Sequence, residues 1–113
     1  MTNQLTNLYT DFKKIEVLVA EGLWNAIKYA RGSCVSFTPK KILEYANVNE
    51  TLPVVLTLVK HILEELVKKN LIEKDSTRSI TRYRVCKTSE LWRICKETDS
   101  SEKIIQLIEA TIE

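Results

Sequence analysis

Residues 38–87 read TPKKILEYANVNETLPVVLTLVKHILEELVKKNLIEKDSTRSITRYRVCK, and the change of hydrophobic period along them decides the fold. Thr38 can cap a helix through its hydroxyl, and Pro39 suits the first helical position, where its missing N–H would lack an intrahelical partner anyway. Ile42, Leu43 and Ala46 form a short apolar stripe, which Asn47-Val48-Asn49-Glu50 breaks as a turn. A second cap at Thr51 or Leu52, with Pro53 behind it, starts a longer helix running to Lys69. Leu52, Val55, Leu56, Val59, Ile62, Leu63 and Leu66 fall on one of its faces, flanked by Leu58 and Val67. Pro53, Val54, Thr57, Lys60, His61, Glu64, Glu65 and Lys68 face the other way. The period then drops to two. Leu71-Ile72-Glu73-Lys74 is extended, Asp75 to Ser79 is turn-rich, and Ile80 to Val85 alternates. Tyr83 and Val85 point to one side and Arg82 and Arg84 to the other, as a half-buried strand requires.

Outside this stretch the chain is mostly helical. Apolar residues recur at helical spacing from Leu5 through Leu8, Phe12 and Ile15 to Ala30, with an interruption or a bend at Gly22 as the expected break. One helix of that extent would be about 40 Å long at ~1.5 Å per residue, longer than a small core needs. The reading therefore splits it into a terminal helix over residues 4–15 and a core helix from Glu16 to Arg31, with Gly32 in the left-handed position that ends it. Cys34-Val35-Ser36-Phe37 is a short strand able to join the hairpin in a three-stranded sheet. Thr88-Ser89-Glu90 starts a short helix in which Trp92 sits among apolar neighbours as a core residue. A last helix spans residues 101–112, with Asp99 and Glu102 spaced as a capping box. Its stripe of Ile104, Ile105, Leu107, Ile108 and Ile112 needs a packing partner, because about eleven residues are marginal as an isolated helix. Together with Leu5, Leu8 and Phe12, these isoleucines are expected at a homodimer interface, the alternative being an intramolecular cap over the same core.

The chain of 113 residues suits one domain over 1–113, with its core at about 16–98. Only two glycines and two prolines favour helices over a β-sandwich, so the fold class is mainly α with a small β-sheet. No apolar run approaches the ~20 residues that span a bilayer, and the first residues lack a secretory pattern. The expectation is a cytoplasmic protein with no membrane partner. Cys34, Cys86 and Cys95 form no C-x-x-C pair, and no metal or other cofactor is expected. Buried, reduced thiols are the expectation for them, with a Cys34–Cys86 or Cys86–Cys95 disulfide as the alternative. No glycine-rich phosphate loop or paired-histidine motif accompanies the lone His61, so the chain does not read as an enzyme. The net charge of +2 hides an asymmetry. Residues 38–87 carry ten basic and six acidic side chains, whereas residues 88–113 carry three and six. Within 76–87 there are four basic residues and no acid, the footprint of a phosphate-binding strip or of a solvated edge.

Helix, turn, longer helix, then Lys68-Lys69-Asn70-Leu71-Ile72 leading into a basic hairpin: this order resembles the winged helix-turn-helix family of DNA-binding domains, over roughly residues 16–98. The scarcity of glycine beside abundant Ile, Lys and Glu is similar to archaeal regulators of that kind. The resemblance implies a sequence-selective protein that binds double-stranded DNA as a homodimer and regulates transcription, with the long helix in the major groove. Carried over by position, it puts Pro53, Val54, Thr57, Lys60 and His61 within reach of bases. Val54 would meet a thymine methyl, Thr57 a base or phosphate, and Lys60 or His61 guanine acceptors. Lys40 and Lys41, at a helix start with free N–H groups, and Arg78, Arg82 and Arg84 of the hairpin would hold phosphates. This requires the polar face of the long helix and the hairpin arginines to turn outward together. The long helix departs from the family habit in lacking Arg, Asn and Gln and in carrying Glu64 and Glu65. A winged-helix protein-interaction module in a transcription, replication or membrane-remodelling assembly, docking through Pro53, Val54 and Leu58, is the alternative.

Overall fold

The computed structural model describes residues 4–49, 52–77 and 79–112, with side chains from Phe12 onward. Five helices and three strands follow in the order α1 (Gln4–Lys28), β1 (Cys34–Phe37), α2 (Pro39–Tyr45), α3 (Pro53–Lys68), β2 (Glu73–Asp75), β3 (Arg82–Cys86), α4 (Glu90–Glu97) and α5 (Glu102–Ile112). The molecule is thus mainly helical with a small antiparallel sheet, of strand order β1-β3-β2.

Helix α1 runs unbroken for 25 residues, which corrects the expected division near residue 15. It is continuous because other elements of the same chain line its length: α2, α3, α4 and α5 all pack on it. Val19, Leu23 and Ile27 are completely buried on one stripe. Gly22 serves close approach. A Cβ there would lie 2.3 Å from the carbonyl oxygen of Ile42, so only glycine lets α2 come this near. The helix stops at Lys28, before Arg31, and Gly32 has no positive φ. The left-handed residues are Asn47 (φ 64°) and Asn70 (φ 61°), which end α2 and α3. In both, two amides fold back on the last turn: Asn47 N to Glu44 O and Val48 N to Leu43 O after α2, Asn70 N to Val67 O and Leu71 N to Leu66 O after α3. These are Schellman closures, for which asparagine is the usual substitute for glycine.

Thr38 caps α2 as its sequence implies, its Oγ1 accepting from the Lys41 amide at 3.2 Å. Leu52 precedes Pro53 at the start of α3 without a side-chain cap and is 58% exposed, so it does not belong to the buried stripe. Thr51 lies outside the described residues. Val59, Ile62, Leu63 and Leu66 carry the stripe into the core, while Val55 and Leu56 are half-buried. Tyr83 and Val85 point inward from β3, and Arg82 and Arg84 outward, as the alternation predicts.

Helices α4 and α5 close the other side. Ser89 Oγ accepts from Leu91 N and donates to Leu71 O, fixing where α4 starts. Trp92 is 6% exposed, a core residue. The Asp99–Glu102 capping box does not form; Glu102 begins the helix and its amide donates to Ser100 Oγ at 3.4 Å. Ile104 and Ile108 are fully buried within this one chain, which removes both from any dimer interface. They occupy the intramolecular position instead, between α5 and the helices α1, α3 and α4. Phe12, Ile105 and Ile112 are half-buried against the same core, and the side chains of Leu5 and Leu8 lie outside the described residues.

Two lysines join the ends of α1 and α4. Lys28 Nζ donates to the carbonyls of Lys96 and Thr98, and Lys96 Nζ to those of Lys28 and Ala30. Each ammonium thus satisfies carbonyls at the negative end of the other helix.

The cysteine expectation is corrected for two of three residues. Cys34 and Cys86 oppose each other in the β1–β3 register and form a disulfide. Lys87 N donates to Ser33 O next to them, which makes the cysteine pair the narrow, non-hydrogen-bonded kind that brings side chains closest. Cys34 is exposed and Cys86 half-buried on the outer face of the sheet. Cys95 alone is a buried free thiol, its pKa pushed up to about 12 by burial.

Candidate nucleic-acid interface

The start of α2, the outer side of α3 and the connection between β2 and β3 meet around an open groove of about 410 Å3. Thr38, Pro39 and Lys40 form one wall, Leu56, Thr57 and Lys60 the other, and Ile80 stands at the hairpin end. Local chemistry accounts for each position. The Thr38–Pro39 cap turns the chain so that Lys40 leaves the first turn of α2 outward. The spacing of Leu56, Thr57 and Lys60 puts them on the rim of α3 that the core does not cover. The groove is lined by aliphatic side chains together with two lysines, Lys40 from α2 and Lys60 from α3. Neither Lys40 nor Lys60 forms a salt bridge among the described residues.

Of the residues expected at a DNA surface, Lys40, Thr57 and Lys60 line this groove, and Pro53, Val54 and His61 are exposed on α3 beside it. Thr57 Oγ1 donates to Pro53 O at 3.0 Å, so its hydroxyl proton is used within the helix. Lys41 is exposed but held by Glu44 at 3.3 Å, with its Nζ 5.6 Å from the centre of the Tyr45 ring. Arg78 lies outside the described residues.

Arg82 and Arg84 do not turn outward together with the polar face of α3, which is the arrangement the nucleic-acid reading requires. The Tyr83 hydroxyl reaches α3 through Glu64 at 2.6 Å, so the side of β3 that carries the arginines faces away from that helix. Register sets each arginine opposite a carboxylate of β2: Arg84 against Glu73 and Arg82 against Asp75. Arg84 binds Glu73 through Nε at 3.0 Å and Nη2 at 2.6 Å, which raises the guanidinium pKa further. The basic strip over 76–87 is therefore partly neutralised in space by residues that precede it in sequence.

The two glutamates of α3 are also engaged. Glu64 accepts from Lys74 Nζ at 2.8 Å and from Tyr83, and these two bonds hold its carboxyl below the usual range. Burial and the same carboxylate push the Tyr83 hydroxyl well above its ordinary value. Lys68 binds Glu65 at 2.9 Å and lowers it likewise. Both carboxylates are thus matched by cations before any phosphate approaches.

Leu56 and Ile80 were not legible as groove residues. Leu56 shares the period of the buried stripe, and the one signal for Ile80 is its position as a lone aliphatic between Ser79 and Thr81. A second groove, near the ends of α1 and α2, carries Glu21 and Asp99 and no basic side chain in its lining, so it does not suit an anion. Among the described residues no group of three or more His, Cys, Asp or Glu side chains is placed to hold a metal ion, and no helix is long and apolar enough to cross a membrane. No family model matches the chain, and no curated protein or solved structure matches it either.

Proposed function

We propose that the chain is a winged helix-turn-helix protein that binds double-stranded DNA and acts in transcription regulation, not catalysis. The observation that supports this most is the single groove shared by the α2 N-terminus, the outer side of α3 and the hairpin connection, with Lys40 from α2 and Lys60 from α3 in its lining. An α-helix fits the major groove of B-DNA, and a basic residue on either side can meet the phosphates flanking it. The joint outward turn of the arginines and the polar face of α3 is not met, so this reading rests on the lysines alone, and they carry the affinity. Arg82 and Arg84 contribute less than the sequence implies, because carboxylates already oppose them.

Selection of bound fragments from random duplex DNA, followed by salt titration of the selected site, tests this. Each neutralised phosphate contributes roughly −0.9 to the slope of log affinity against log salt, so Lys40→Ala and Lys60→Ala should each make it shallower by about one unit. No detectable duplex affinity at moderate salt would overturn the reading. The protein-interaction alternative would then lead, and one observation favours it: Leu52, Val54 and Ile80 are three exposed aliphatics, each 58–60% accessible. A homodimer, if formed, would use Phe12, Ile105 and Ile112 without Ile104 or Ile108; sedimentation at micromolar concentration tests it, and a strict monomer ends it.

A further inference from the structure

The DNA-facing surface proposed above has an unusual chemical character for reading bases. Helix α3 has no Arg, Asn or Gln for bidentate bonds to guanine or adenine, and its Lys60 and His61 come only after its first two turns. Its first two turns present Pro53, Val54 and Thr57 to solvent. The Thr57 hydroxyl donates its hydrogen bond to Pro53 O, so toward a base it offers a methyl group and an acceptor oxygen, but no donor for a guanine or adenine N7. Val54 is 59% exposed one turn before Thr57, and Leu56 and Ile80 continue the aliphatic surface across the groove.

We infer that this surface reads the 5-methyl groups of thymines in the major groove, so that the protein selects A·T pairs by apolar contact, while Lys40 and Lys60 hold the flanking phosphates. Thymine is the one base that places a methyl group at the edge of that groove, so an aliphatic reader has one partner there. The two lysines supply the charge complementarity that commits the groove to a polyanion carrying such methyls. The inference rests on the DNA reading, and its failure is separable from the failure of that reading.

The test replaces individual thymines of the selected duplex by deoxyuridine, which removes the methyl and leaves every hydrogen-bonding edge unchanged. At contacted positions affinity should fall about fourfold per methyl, the value of removing one buried methyl-sized group from an apolar contact. Val54→Ala should abolish the thymine–uracil difference at one or more positions with the salt slope unchanged. Lys60→Ala should do the opposite, reducing the slope and keeping the difference. Duplex binding that is indifferent to uracil at every position overturns methyl reading and leaves DNA binding standing. Absence of any duplex binding overturns both.

Discussion

The two ends of α3 lie in regions built on opposite principles. Around α1, α4 and α5 the apolar stripes are covered by one another, and the chain from residue 88 onward has three more acids than bases. There the ends of α1 and α4 exchange lysines, and even Trp24 donates its indole N–H to Thr98. Around α2, the start of α3 and the hairpin connection, aliphatic side chains stand in solvent beside Lys40 and Lys60, which form no salt bridge among the described residues. Burial of that surface contributes nothing in the isolated chain. The difference teaches where selection for stability stops: one region minimises its own free energy, and the other leaves apolar area and charge available to something else.

That contrast can be attacked in order of effect. Removing the Cys34–Cys86 link, by serine at both positions or by reductant, frees a loop of 52 residues in the unfolded chain. The loop-entropy relation puts the loss near 4 kcal/mol, read as a shift in denaturation midpoint that reductant no longer adds to in the double serine variant. Ile108→Ala in the closed region should cost about 3 kcal/mol by cavity formation, measured by denaturant unfolding. Lys28→Met should cost about 2 kcal/mol, since carbonyls of Lys96 and Thr98 lose a charged donor. A double cycle with Lys96→Met should be non-additive. Acid acts next. Because the Glu64 pKa is lowered in the fold, its contribution is full above the ordinary carboxyl value of 4.5 and is lost as pH falls through the lower folded value. Glu64→Gln should flatten that part of an acid-unfolding curve. Val54→Ala in the open region should change stability by less than about 0.5 kcal/mol, although it deletes aliphatic atoms as Ile108→Ala does. A large loss there would mean the open surface is not open.

Much of this architecture was legible in the residues, for identifiable reasons. The period-3.6 stripe of α3, the alternation of Tyr83 and Val85, the Thr38 cap and the placement of Trp92 each depend on neighbours within a few positions. What was not legible depends on distance in sequence. The split of α1 rested on a length argument, which could not know that α5 returns along it. The isoleucines of α5 carry the same period whether they face a second chain or their own, so Ile104 and Ile108 could not be assigned. The Cys34–Cys86 link follows from β1–β3 register, which spacing does not encode. The pairing of Arg84 with Glu73, and the placement of Arg82 opposite Asp75, likewise need the β2–β3 register, because a charge count over 76–87 omits both carboxylates. In the sequence Asn47 and Asn70 mark only a turn and a boundary, whereas their left-handed backbone is what stops two helices.

The covalent link between β1 and β3 also changes the topology of the polypeptide. Residues 34–86 become a ring that carries α2, α3 and the hairpin, while α1 leaves it as one tail and α4 with α5 as the other. A protease that cuts once inside this ring opens it without releasing a fragment, so the cleaved protein keeps its full mass until a thiol reagent is added. A cut in either tail releases a piece at once.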